Sequence, residues 1–236
     1  MSTTPHDPQP SPNFLVDIFS FRLEYRPQVD LDGAWEFRID KEGVGKAQGW
    51  QQGKGTFDRT IDIPGVPQAQ GIGAPDLRQK HQFLDPFWVR RKFPMPTFDS
   101  GKRVWLRIGG ILPAAQVYLN GCYVGYTKSS RTQQRVDVSE FVKPDAENLI
   151  AIKVCDLPRV RLDGIYEWHE GSLIWSGVYR PVRLELADPA AVMDAYIQPS
   201  LTQSMADVSF ALSQSSATPL KVVWRAMDGK RAMGSA

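Results

Sequence analysis

Residues 115–126 read AQVYLNGCYVGY, and the reading of this stretch decides the fold. Asn120-Gly121 stands between two apolar runs. Asn and Gly accept the positive φ angles that a type I′ turn needs at both of its central positions. The stretch therefore predicts a β-hairpin, and hairpins join antiparallel strands.

The same period-2 pattern recurs on both sides. In LDGAWEFRI (31–39) the residues Leu31, Trp35, Phe37 and Ile39 fall on one face. RVWLRIG (103–109) alternates Val104, Leu106 and Ile108 against Trp105 and Arg107. NLIAIKV (148–154) offers Ile150, Ile152 and Val154 to one side, and VYRPVRLEL (178–186) offers Val182, Leu184 and Leu186. About eight such segments between residues 31 and 187 predict an all-β fold, a two-sheet sandwich of the jelly-roll kind with one buried face per sheet. Residues 138–148, VSEFVKPDAEN, predict a helical turn or two before Pro144. The stretch 16–23, VDIFSFRL, is compatible with an edge strand or a short helix.

Three regions follow. Residues 1–27 are a Pro/Ser-rich lead, expected to be disordered or extended. Residues 28–188 hold the sandwich. Residues 189–236 begin a second series of strands, MDAYIQPSL, ADVSFAL and LKVVWRAM. That is fewer than the roughly seven strands of an immunoglobulin-like sandwich, so this part is expected to be such a domain cut short.

Composition narrows the partners. A net charge of +2, with 28 basic against 26 acidic residues, leaves no excess for a polyanion, and no Lys/Arg stripe runs along the chain. No nucleic-acid partner is expected. No window approaches the 18 apolar residues of a membrane span, so no membrane partner is expected either. The start MSTTPHDPQPSPNF lacks a basic n-region and an apolar h-region, as a signal peptide requires; a cytoplasmic location is the expectation. Cys122 and Cys155 have no Cys or His neighbour at metal-ligand spacing. No metal or cofactor is expected, though Asp137, Ser139 and Glu140 form a turn-cap cluster of oxygen donors. Arg90 and Arg91 point to opposite faces of one strand, so one of them is expected to form a salt bridge within the sandwich or at a domain interface.

Several segments together resemble glycoside hydrolase family 2. DLDGAWEFRID (30–40) resembles the family's opening strand, and IDIPGVPQAQG (61–71) its Val-Pro segment. PFWVRRKFPMP (86–96) is similar to its aromatic-Arg-Arg strand, residues 101–154 to its central hairpin block, and WSGVYRPVRLE (175–185) to its closing strand. Each piece alone is weak; five in order at natural spacing are specific. The resemblance covers roughly residues 28 to 236. It implies a β-galactosidase- or β-glucuronidase-like glycosidase built from a jelly-roll sugar-binding domain, an immunoglobulin-like domain and a catalytic (β/α)8 barrel. Two barrel glutamates about 5 Å apart would perform retaining hydrolysis. A barrel takes about 250 residues, more than remain here. The family's acid/base Glu follows an Asn, and none of Asn13, Asn120 and Asn148 is followed by Glu. The resemblance thus implies an enzyme family but no catalytic residue in this chain, which alone is expected to be inactive, with the missing barrel as its partner. Family enzymes are often oligomers, which raises a homo-oligomer as an expectation.

The resemblance also implies a sugar-facing loop before the closing strand. The family's sugar-contacting Asp falls at Gly171 here, a departure; Glu170, Glu167 and Asp163 stand further back. A carboxylate accepts paired hydrogen bonds from vicinal hydroxyls, or it is simply a solvated loop charge. Trp168 would cover the C–H face of a pyranose, or pack the loop onto the sandwich. His169 would donate to a hydroxyl, or stay solvated. In the second loop, APDLRQKHQFLDPFW (74–88), Asp76 is the candidate contact. The ligand implied is a β-glycoside, without a choice among galactoside, glucuronide and mannoside. The competing readings are a free-standing carbohydrate-binding, lectin-like module and a structural interaction domain. A chain that stops in mid-domain argues against the free module.

Overall fold

Alternation of apolar side chains drives each segment to bury one face, and the computed structural model shows where those faces meet. It describes residues 15–17, 26–73, 85–127, 132–155, 176–213, 221, 225–228 and 231–235. The chain divides into two units, residues 1–188 and 189–236.

The first unit contains β1 (Leu15–Asp17), β2 (Gln28–Asp30), β3 (Gly33–Ile39), β4 (Arg59–Ile63), β5 (Phe87–Met95), β6 (Arg103–Ile108), β7 (Ile111–Leu112), β8 (Ala115–Leu119), β9 (Cys122–Thr127), β10 (Gln133–Asp137), β11 (Ala146–Val154), β12 (Gly177–Val178) and β13 (Val182–Ala187). One sheet has the order β1-β10-β6-β13-β2, the other β4-β3-β5-β11-β8-β9, and β7 pairs with β12 as a separate ribbon. All pairings are antiparallel. Leu15–Asp17 forms an edge strand, β1, on β10, so the first two residues of the 16–23 stretch are strand and the rest of it lies outside the described residues.

The hairpin forms as expected. Asn120 and Gly121 have φ of 52° and 83°, and Leu119 pairs with Cys122. Asn120 also works at long range. Its Nδ2 donates to Phe141 O and Asn148 Oδ1, both at 2.7 Å, and its Oδ1 accepts from Leu149 N at 2.9 Å. Residues 138–142 make a turn rather than a helix, closed by Phe141 N and Val142 N donating to Val138 O. In the turn-cap cluster Asp137 accepts from Ser139 N and from Arg103, so a guanidinium occupies the carboxylate there.

Between the sheets lies one core, with Trp35, Phe37, Val104, Leu106, Ile108, Ile150, Ile152, Val154, Val182 and Leu184 inside it. Ile39 departs from its expected place, being 40% exposed at the end of β3. The outer faces depart more. Trp105, Arg107, Arg135 and Glu185 are buried on the outer side of the five-stranded sheet. Arg107 Nε lies 2.7 Å from Glu185 Oε2, with Arg26 Nη1 at 4.0 Å. Burial pulls the Arg26 guanidinium below its ordinary pKa, and Glu185 opposes the shift.

Residues 41–58 cover the centre of the outer face of the six-stranded sheet. Trp50 settles against Trp88, Tyr118 and Ala151, with Phe57 alongside. Arg90 fastens this excursion. It binds Glu36 directly across the β3–β5 register. Its Nη1 donates to Lys54 O at 2.6 Å and its Nη2 to Gly55 O at 3.1 Å, while the guanidinium lies 3.8 Å from the Phe57 ring centre. Arg90 is thus the salt-bridged member of the basic pair. Arg91 directs Nη1 to Asp32 O at 2.6 Å.

The second unit forms two hairpins, β14 (Val192–Ser200) with β15 (Met205–Leu212) and β16 (Arg225–Asp228) with β17 (Arg231–Ser235). Tyr196, Ile197, Leu201, Met205 and Leu212 are exposed on the first. Among the described residues, no helix is long and apolar enough to cross a membrane.

Arg90→Ala removes several charge-assisted hydrogen bonds and the stacking on Phe57, and it is expected to lower unfolding free energy by about 2–4 kcal/mol. Arg90→Lys keeps the charge without the fork and recovers only part of the loss; urea denaturation of both variants measures it. A pH effect comes from Asp32. Burial raises its carboxyl above the ordinary pKa of 3.8, with the Val182 N–H acting against that shift. The native state therefore holds this proton more tightly than the unfolded chain, so the group's contribution to stability is lost as pH rises through the raised value. Asp32→Asn keeps an acceptor for Val182 N. Its Tm is expected to equal or exceed that of the wild type at pH 7, with the gap closing toward pH 3.

Candidate functional site

The register of the six-stranded sheet gathers several chain segments at one end. Val154 of β11 pairs with Phe87 of β5 and with Ala115 of β8, Ile39 pairs with Phe87, and Ala115 with Thr127. Residues 156–175 depart from this end after Cys155, and residues 74–84 arrive at it before Asp85. These two segments carry all six candidate sugar contacts: Asp163, Glu167, Trp168, His169 and Glu170 on one, Asp76 on the other. All six lie outside the described residues, as do His81 and Trp175.

Their other roots also adjoin. Gly65 N donates to Val178 O at 2.9 Å, and Ile72 N to Pro67 O at 3.0 Å. Gln70 clasps the backbone of Asp62, accepting from its N at 2.6 Å and donating to its O at 2.9 Å, so the short 3-10 turn Pro67–Gln70 is held against β4. Gly177 makes the close approach possible. Its φ is 147°, and a Cβ there would stand 3.0 Å from Gly65 O and 3.2 Å from both Val66 Cα and Pro67 Cδ. The chain that leads toward residues 74–84 thus meets the chain that follows residues 156–175 at Gly65–Pro67 and Gly177. At this second root Ser176 Oγ and both amide atoms of Gln68 are buried without a hydrogen-bond partner. A hydroxyl or a water can satisfy such groups, and leaving them unmade costs about 1–3 kcal/mol each.

The first root is braced by Asp40. Its carboxylate is fully buried, accepts from Gly45 N at 3.0 Å and Trp88 Nε1 at 2.8 Å, and faces Lys153 Nζ at 3.4 Å. Its own N donates to Pro86 O at 2.7 Å. Sequence reasoning missed Asp40, Gln68 and Gln70. An Asp at a strand end is ordinary, and only the contact with Lys153, more than a hundred residues away, distinguishes this one.

A sandwich from which two long segments leave at adjoining strand ends is a scaffold that presents those segments. The comparisons agree with that class. Residues 29–189 match the glycosyl hydrolases family 2 sugar binding domain, and the chain belongs to that family. A β-galactosidase of Thermoanaerobacter pseudethanolicus is 26% identical over 198 residues, which are 82% of this chain and 24% of the relative. A β-glucuronidase of Canis lupus familiaris is 32% identical over 126 residues, 50% of this chain and 19% of the relative. The apo structure of β-glucuronidase from Ruminococcus gnavus superposes with a TM-score of 0.71 at 21% identity, covering 94% of this chain and 39% of that one; the fold is shared. The chain thus spans about a quarter of the length of the first of these relatives.

Gly177→Ala is expected to cost about 1–3 kcal/mol through backbone strain and the contact with Gly65. Gly101→Ala, which meets nothing within 4 Å, serves as the control and should stay within about 0.5 kcal/mol of wild type; thermal melts of both decide.

Proposed function

We propose that this chain is the non-catalytic, sugar-facing portion of a retaining β-glycosidase, and that residues 189–236 open an immunoglobulin-like domain in it. The observation that carries the reading is the departure of the two candidate segments from adjoining strand ends on a family 2 sugar-binding scaffold. Asp76 and the Asp163–Glu170 segment then act on one ligand rather than two. In this reading Glu170 or Glu167 accepts from vicinal hydroxyls, Trp168 covers the C–H face of the pyranose, and His169 donates to a hydroxyl. The hydrolytic step belongs to a (β/α)8 barrel that the loops would border. Two acidic groups at about 5 Å, one protonating the leaving oxygen and one attacking the anomeric carbon, are what such a barrel must supply.

The relatives' names give the ligand class to test, β-galactosides and β-glucuronides. The purified chain is expected to show no release of p-nitrophenol from either aryl glycoside, while binding the intact sugar weakly enough to be followed by calorimetry. Turnover that copurifies with the chain through two orthogonal columns would overturn the non-catalytic reading. Glu170→Ala should weaken sugar binding about 10-fold or more, the loss of a charge-assisted hydrogen bond. Equal affinity in wild type and variant removes Glu170 from the site.

A further inference from the structure

The outer face of the six-stranded sheet ends in an aromatic platform at its β8–β9 edge. Val117 and Val124 both point into the core. A register irregularity between Val117 and Tyr118 absorbs one extra residue on β9, so Tyr123 lies opposite Tyr118 and Tyr126 opposite Gln116. Bulges re-aim side chains in this way. Here the effect is to bring Tyr118, Tyr123, Tyr126 and Gln116 to the same outer face, beside Lys153, the register partner of Gln116 on β11.

The rings form a series. Trp50 and Trp88 are 6.3 Å apart, Trp88 and Tyr118 5.4 Å, Tyr118 and Tyr123 5.4 Å. The first three are buried, whereas Tyr123 is 49% exposed. Its ring is held from behind by Tyr118, so it offers a fixed face to solvent. The polar groups beside it are set as donors. Tyr118 O–H donates to Gln116 Oε1 at 2.9 Å, which leaves the Gln116 amide N–H2 for another acceptor. Burial raises the phenol pKa of both Tyr118 and Tyr123, which keeps each hydroxyl protonated. Among the described residues the cation beside these rings is Lys153, which already faces the Asp40 carboxylate, so these residues favour an uncharged ligand.

An aromatic face with amide and hydroxyl donors at its border matches a pyranose, which has an apolar C–H face and a rim of hydroxyls. We propose that this outer face binds a neutral, β-linked hexopyranose chain, with Tyr123 as the stacking ring and Gln116 as the hydrogen-bonding partner. The site is built on strands and does not rest on the loop reading above.

The test is calorimetric titration of the full 236-residue chain with cellotetraose and with β-1,4-galactotetraose. Tyr123→Ala should weaken binding of at least one of them 10-fold or more, Gln116→Leu should weaken it several-fold, and Tyr123→Trp should retain it. Because Tyr123 is half exposed, Tyr123→Ala should melt close to wild type, which separates lost binding from lost folding. Glu170→Ala should leave this binding unchanged. No binding of either tetrasaccharide by the wild-type chain overturns the proposal, and so does equal affinity in Tyr123→Ala. Binding that is lost in Glu170→Ala and kept in Tyr123→Ala assigns the glycan to the loop; it overturns this site and leaves the function proposed above standing.

Discussion

The buried carboxylate of Asp40 is the constraint on which this end of the sandwich depends. An ionisable group out of water is tolerated only when charge and hydrogen-bonding capacity are met. Here two N–H donors and an ammonium meet them, from Gly45, Trp88 and Lys153. Those three residues belong to the excursion after β3, to β5 and to β11. One side chain therefore fixes the relative position of three chain segments, two of which lead into or out of the candidate loops. Removing any one donor leaves the charge under-compensated, a change that costs about 3–5 kcal/mol for a buried pair.

Above that anchor the six-stranded sheet buries part of its outer face as well, at Trp88, Tyr118 and Ala151. Its inner face meets the other sheet. Its outer face meets residues 41–58, held by Arg90 and by the T-shaped contacts of Trp50 with Phe57 and Trp88. Arg38 adds a second cation over the Trp50 ring at 4.1 Å. The central strands β5, β8 and β11 are thus packed from both sides at these residues.

The inner faces were legible from the sequence because they depend on local spacing alone. Val104, Leu106 and Ile108 alternate, and so do Ile150, Ile152 and Val154; each set is buried as its period dictates. The Asn120-Gly121 turn was legible for the same reason. The outer faces were not. Trp105 and Arg107 occupy the positions that alternation assigns to solvent, yet both are buried. Their burial depends on Glu185 and Arg26, which no window around residue 105 contains. Ile39 shows the converse failure, an apolar residue in phase whose strand ends before the core does. For the site, motif resemblance pointed to the segments 74–84 and 156–175, which lie outside the described residues. It gave no sign that the chain leading toward one meets the chain following the other, since the Gly65–Val178 bond joins residues more than a hundred positions apart.

The described carboxylates bear on what this scaffold leaves to others. Asp40 and Glu185 are the buried ones among the described residues. Asp40 belongs to the six-stranded sheet and is enclosed by Lys153 and two N–H groups; Glu185 belongs to the five-stranded sheet and is enclosed by Arg107 and Arg26. Retaining hydrolysis uses two carboxyl groups that face each other across about 5 Å with open approaches to the sugar. Carboxylates already surrounded by cations, on separate sheets, have no such approach. The buried acids of this sandwich hold strands together.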